Sequence, residues 1–214
     1  MSASAEPYRK TYSPEKAALY VQSKDENPDT NRAECALVRR AFAGIARGSR
    51  VLDLPCGGGR MTVLLSQLGY EMEAADISPS MVDLTRARLV QEQIDAPVSR
   101  QDLESTTFAD RQFDAVLCFR MFHHFPTLEL RERATRELCR IVSSCVVVSY
   151  LDARSWTSRR RALQARFAGK PANKFSQTPQ DCAALFTAQG FKVVADLARF
   201  PLFHSLRVLV ARRT

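Results

Sequence analysis

The sequence predicts an α/β fold: an open, mostly parallel sheet with helices on both faces and an antiparallel addition at the C-terminus. Three observations predict it. Short apolar runs alternate with helix-period segments from about residue 50 to residue 190, the order expected of parallel strands joined by crossover helices. One run, Val51-Leu52-Asp53-Leu54, stops at Pro55-Cys56-Gly57-Gly58-Gly59-Arg60, where bare backbone lets a small ligand approach the carboxyl edge of such a sheet. The last two runs, 191–197 and 205–211, are joined by a connection too short for a crossover, so they pair antiparallel.

The elements follow in order. The first 30 residues are polar, with a helical hint around 14–21. Ala33, Ala36, Leu37, Ala41 and Ile45 have helical spacing over 31–46, and Gly48 is the stop. The first strand is 50–54, followed by a helix over 60–68 that Gly69 closes. The second strand is 70–75. Ser78-Pro79 reads as a cap and a first-turn proline opening a helix through about 93. A short strand lies at 98–101, and the continuous apolar run 113–119 suits a central strand covered on both faces. Leu130, Ala134, Leu138 and Ile141 form a buried stripe over 127–141, before a strand at 142–150. Thr178-Pro179 with Asp181 starts a last helix, which Gly190 ends. The organisation is one domain over 1–214: a helical cap (1–48), a core (49–150), a basic lid or insertion (151–176) and a C-terminal helix with a strand pair (177–214).

Composition narrows the class. Hydrophobic residues at 45% and charged residues at 25% are those of a soluble globule. The near-apolar run 141–151 is too short to span a bilayer, and 1–14 has no signal-like apolar stretch, so a cytoplasmic protein is expected. The six cysteines show neither a CxxC pair nor metal-ligand spacing, which predicts buried reduced thiols and no metal. Of the net charge of +8, +6 falls in 151–174, where Arg154, Arg159, Arg160, Arg161, Arg166, Lys170 and Lys174 face only Asp152. This segment is either a solvated helix face or a lid that draws in an acidic substrate or an anionic surface. Its only aromatics are Trp156 and Phe167, which ranks nucleic acid below an acidic small molecule.

Asp76 ends the second run, 23 residues after Asp53, where a carboxylate suits the two hydroxyls of a ribose. Together with the glycine turn and Asp102 after the third run, the pattern resembles the class I S-adenosylmethionine-dependent methyltransferases. The likeness is to the small-molecule branch that includes ubiquinone and menaquinone methylating enzymes, and it covers roughly 30–150 by motif. The resemblance implies a Rossmann-like sheet and S-adenosylmethionine as cofactor, with S-adenosylhomocysteine as product. It places the glycine motif on Asp53, Pro55, Gly57 and Gly59, with Pro55 where the family has its first glycine. It places the ribose acid on Asp76 with Ile77 beside the adenine, and the adenine-amine acid on Asp102 next to Leu103. The fourth motif falls on 114–125. Cys56 and Cys118 are expected near the cofactor as small apolar wall residues, and Tyr20 either closes over the cofactor from the N-terminal helix or, the favoured reading, packs into the core. A nicotinamide fingerprint needs a third glycine where Thr62 stands, and no Walker lysine pattern is present.

Methyl transfer needs alignment, and a base only when the acceptor arrives protonated. His124 and, second, His123 are the candidate bases; one packing inward and the other capping a helix is the alternative. Arg120 either anchors an acceptor anion or bridges the acidic edge structurally. Tyr150, Arg159 and Arg160 are the further acceptor-site candidates, and His204 reads as an ordinary partly exposed histidine. The expected partner is a small, anionic or amphipathic acceptor, and the chain is a monomer or homodimer. An RNA or protein methyltransferase using the basic segment, and a non-catalytic cofactor-binding partner, are the alternatives.

Overall fold

The computed structural model describes residues 12–25, 27–168 and 174–214. Residues 1–11 of the expected cap, and Lys170 of the basic segment, lie outside them. Among the described residues the strands form one sheet in the order β3-β2-β1-β4-β5-β7-β6. They are β1 (Arg50–Asp53), β2 (Glu71–Asp76), β3 (Val98–Arg100), β4 (Phe113–Cys118), β5 (Val142–Leu151), β6 (Phe191–Ala198) and β7 (Leu206–Arg213). β1 to β5 pair in parallel. β7 runs antiparallel to both β5 and β6. The helices are α1 (Pro14–Asp25), α2 (Pro28–Phe42), α3 (Arg60–Gln67), α4 (Pro79–Gln91), α5 (Leu128–Ile141), α6 (Trp156–Ala168) and α7 (Pro179–Thr187), with one 3-10 turn at Phe122–His124.

The period-2 alternation of the strands sorts the core into two layers. Leu52, Val116, Cys118, Val146, Val148 and Tyr150 pack with the α5 stripe Leu130, Ala134, Leu138 and with Cys182 and Phe186 of α7. Val51, Ala115, Leu117 and Val147 pack on the other side with Leu37, Val38 and Phe42 of α2 and Leu64 and Leu65 of α3. Because successive residues of β4 serve opposite layers, the strand is apolar from Ala115 to Cys118, as expected of a parallel strand covered twice. The expected continuous run is broken by Asp114, which is exposed and accepts Arg50 N–H at 2.9 Å. Five of the six cysteines are buried and all are free thiols.

The local signals explain most boundaries. Thr178 and Asp181 form a full capping box, as their spacing predicts. α2 starts five residues before the apolar stripe, because Asn27 caps Thr30 N–H at 3.1 Å and Pro28 takes the first turn. Ser78 departs from expectation: its side chain makes no cap bond, and its Oγ instead accepts the Tyr12 N–H at 3.3 Å. Ser80 Oγ donates to the Tyr12 carbonyl at 2.9 Å. These two bonds tie the chain just before α1 to the start of α4, over the carboxyl edge of the sheet. No helix among the described residues is long and apolar enough to cross a membrane.

Candidate functional site

The carboxyl ends of β1 to β4 open onto one cavity of about 1210 Å³, counted out to its mouth. That volume includes the open solvent at the mouth, so the lining residues, not the size, define the site. Each strand delivers its part. β1 supplies Asp53 and the turn Pro55-Cys56-Gly57, β2 supplies Asp76 and Ile77, and the segment after β3 supplies Asp102 and Leu103. The segment after β4 supplies Arg120 and His124, while Tyr20 descends from α1, with Tyr12 just before that helix. The two tyrosine rings lie 5.6 Å apart.

The turn is built by its glycines. The Leu54–Pro55 peptide is cis. Gly57 has φ +55, and a Cβ built there meets nothing within 4 Å. Its backbone thus faces open cavity. Gly59 (φ +76) differs: a Cβ there would sit 3.0 Å from Thr85 Cγ2, so this glycine serves packing against α4, not clearance for a ligand. Gly57→Ala therefore combines a left-handed strain of about 1 kcal/mol with a methyl group in the cavity. Gly190, at φ +75 and also with open space around it, supplies the control. Gly57→Ala and Gly190→Ala are expected to lose similar stability in denaturant melts, while only Gly57→Ala loses ligand affinity.

Asp76 is held by the backbone. Its Oδ2 accepts Gly57 N–H at 3.0 Å and its Oδ1 accepts Ser78 N–H at 2.9 Å. Burial raises its pKa, against the lowering pull of these amides. The Ile77 amide also favours the carboxylate, and with about four acceptor sites on a carboxylate capacity remains for a ligand. Asp102 Oδ1 accepts Glu104 N–H at 3.0 Å.

Asp53 is almost fully buried and accepts Thr62 Oγ1–H at 2.7 Å. Burial pushes its pKa up to about 7, with Thr62 opposing and the charge of Asp76 adding. The folded value exceeds the unfolded one of about 4. The fold therefore binds a proton that the unfolded chain releases across that window, and stability falls as pH rises from about 4 to about 7. Asp53→Asn removes this loss. The melting temperature of the variant relative to wild type is expected to climb between those pH values and then level off.

Arg120 sits at φ +60, a conformation non-glycine residues seldom adopt. It is held there at both ends: its N–H donates to Ser149 Oγ at 2.5 Å, and its guanidinium donates to Glu34 Oε1 at 2.5 Å. Glu34 Oε2 takes Arg60 at 2.5 Å. The Glu34 carboxylate, 3% exposed, thus clamps two arginines that both line the cavity. Of the two readings of Arg120, the structural bridge is present. Sequence reasoning missed Glu34 altogether. Arg60 left a signal: a basic residue opens α3 where a helix start favours an acid.

Other expected site residues do not line this cavity. Cys118 is fully buried in the α5–α7 core layer, since it shares the strand phase of Val116. Tyr150 is also fully buried, its hydroxyl donating to Asp196 Oδ2 at 2.8 Å, and Asp196 pairs with Arg207 at 2.9 Å. Burial first and then Asp196 raise its pKa. Arg159 and Arg160 are exposed on α6, Arg160 lying 5.4 Å over the Trp156 ring. No described residue of 151–176 lines the cavity.

The two histidines separate. His124 faces the cavity. His123 lies beneath it, 2% exposed, with its ring 4.2 Å from that of His124 and its Nδ1 without a partner. Burial, then the charges of His124 and Arg120, lower its pKa to about 2. Its burial favours the neutral ring, which packs beneath the cavity. His204 is exposed, with Nδ1 accepting Leu206 N–H at 3.3 Å.

Comparison with known proteins agrees with this layout. Residues 51–144 match the family model of a methyltransferase domain. A ubiquinone biosynthesis O-methyltransferase of Coxiella burnetii is 31% identical over 80 residues, 37% of this chain and 34% of that protein. A counterpart from Xanthomonas campestris is 32% identical over the same shares. The matched region thus spans about a third of these relatives' length. Among solved structures, magnesium protoporphyrin IX methyltransferase of Synechocystis with bound SAH superposes with TM-score 0.69 at 19% identity, covering 87% of this chain and 83% of that one. A protein of Pyrococcus horikoshii gives 0.70 at 20% identity, covering 88% and 92%. At these identities the structural matches establish the fold.

Proposed function

We propose that this chain, a class I S-adenosylmethionine-dependent methyltransferase by its matched domain and its fold, moves the methyl group of that cofactor to a small, anionic or amphipathic acceptor. One observation carries the reading. Asp53, Asp76 and Asp102 follow β1, β2 and β3 in turn and line one cavity with the open backbone of Gly57. The cofactor fits this set. Its ribose diol matches the free lone pairs of Asp76, its ammonium group matches the buried carboxylate of Asp53, and its adenine amine matches Asp102. Leu103 and Ile77 offer apolar walls for the base, Pro55 and Cys56 continue the turn wall, and Tyr12 with Tyr20 covers the mouth from the N-terminal side.

When bound, the cofactor supplies a methyl group already activated on sulfonium sulfur. What remains for the chain is alignment and exclusion of water. His124 stands where an acceptor hydroxyl enters and takes its proton as the bond to the methyl forms. His123, its ring tilted against that of His124 at 4.2 Å, adds no charge behind it. The Glu34–Arg60–Arg120 clamp sets the positive rim past which an anionic acceptor slides. The curated relatives' name supports oxygen on a small biosynthetic molecule as the accepting atom.

The test is methyl transfer from labelled cofactor to a panel of anionic phenols, acids and amines. With a phenolic acceptor, His124→Asn is expected to lower kcat about a hundredfold or more, to flatten the acid limb of the pH profile, and to leave S-adenosylhomocysteine affinity unchanged. A kcat within twofold of wild type would remove His124 from the chemistry.

A further inference from the structure

α6 is turned inside out. Trp156, Leu163 and Phe167 share one helical face with Arg160, and all three apolar side chains are exposed, Phe167 by 83%. The opposite side carries Ser158, 4% exposed, its Oγ buried without a partner. A helix that packed only for its own fold would show the reverse. The tip joining β6 to β7 adds Phe200, Leu202 and Phe203, exposed by 55%, 71% and 69%.

These two apolar sets form one surface. Trp156 N–H donates to the Leu202 carbonyl at 2.7 Å, and Thr157 N–H donates to the Phe203 carbonyl at 3.3 Å. Soluble monomers rarely leave contiguous apolar surface of this kind. Its polar component has one sign: Arg159, Arg160 and Arg199 are exposed, Arg160 lies over Trp156, and Arg199 lies 5.2 Å over Phe200. The surface lies on the same carboxyl edge of the sheet as the cavity, though none of its residues lines it. α6 and the tip follow the carboxyl ends of β5 and β6, and His204 in the tip is within electrostatic range of Glu34, Arg120 and Arg161.

We propose that α6 and the β6–β7 tip form a docking surface for an anionic lipid bilayer, with the apolar side chains entering the headgroup boundary and the arginines pairing with lipid phosphates. A second copy of the chain fits poorly, since the ring of arginines would meet its own likeness. Single-stranded RNA fits poorly as well, since Leu163 and Leu202 offer no stacking face. Docking sets the carboxyl edge of the sheet, onto which the cavity opens, toward the membrane. Delivery of the acceptor from the lipid phase rests on the methyl-transfer reading; the docking itself does not.

Trp156 is the only tryptophan in the chain, so its fluorescence reports the contact. With vesicles of equal parts phosphatidylglycerol and phosphatidylcholine at low salt, co-sedimentation and a blue shift are expected, both weakened by salt and both small with phosphatidylcholine alone. The variant L163S/F167S/F200S/F203S is expected to bind at least about tenfold more weakly, with S-adenosylhomocysteine affinity retained as the check on folding. If that affinity is lost, the charge-reversed variant R159E/R160E/R199E decides, and it too must lose vesicle binding. Failure of the wild type to bind anionic vesicles at low salt overturns the proposal while leaving cofactor binding standing. A blue shift that grows with protein concentration in the absence of lipid overturns it in favour of self-association. Tighter binding to single-stranded RNA than to vesicles overturns it in favour of nucleic acid.

Discussion

Asp76→Ala is expected to weaken S-adenosylmethionine binding by about a hundredfold, or about 3 kcal/mol, for the loss of two charge-assisted hydrogen bonds. The carboxylate has two duties. It would accept the ribose hydroxyls, and it already accepts Gly57 N–H and Ser78 N–H at 3.0 and 2.9 Å. Alanine removes both, leaving two amides at the cavity edge without their acceptor. Asp76→Asn separates the duties, because its one carbonyl oxygen still serves an amide. Its expected loss is nearer tenfold, with a melting temperature closer to wild type. Calorimetric titration of the three proteins checks the order. Equal affinity in all three would mean that the ligand does not meet the end of β2.

Glu34→Ala is expected to be the most destabilising single change on the cavity wall, by about 3 kcal/mol. Its cost comes from what it strands. Arg60 and Arg120, with side chains 17% and 23% exposed, both lose their 2.5 Å partner. Arg120 also loses one of the two restraints holding its backbone at φ +60. For a chain of this size that loss corresponds to a fall of about 6–12 °C in melting temperature. Glu34→Gln keeps an acceptor for one arginine and is expected to lose about half as much. A melting temperature within about 2 °C of wild type for Glu34→Ala would show that the two guanidiniums are satisfied without it.

The part of the site legible in the sequence is the part the sheet itself positions. An apolar run ending in aspartate puts a carboxylate at a strand's carboxyl end, at Asp53 and again at Asp76, and Asp102 follows the short, polar β3 by two residues. Gly57 was legible because a chain reversal there demands positive φ. Gly59 shares the motif but spends its missing side chain on Thr85, a contact with a helix 26 residues away that no local pattern reveals. Cys118 and Tyr150 fell on the wrong side of a period-2 strand: each shares the phase of core residues, Val116 and Val148, and so points into the α5–α7 layer. The clamp was invisible because Glu34 and Arg120 are 86 residues apart. The basic segment was legible as charge. That its apolar residues face outward follows only from how α6 seats against the β6–β7 tip.

Titration of the wild-type chain with S-adenosylhomocysteine by calorimetry tests the central claim most directly. The account predicts one site per chain with micromolar affinity, abolished by excess S-adenosylmethionine competition and reduced in Asp76→Ala. No heat with either ligand, alongside saturable binding of a nicotinamide dinucleotide to the same cavity, would contradict it.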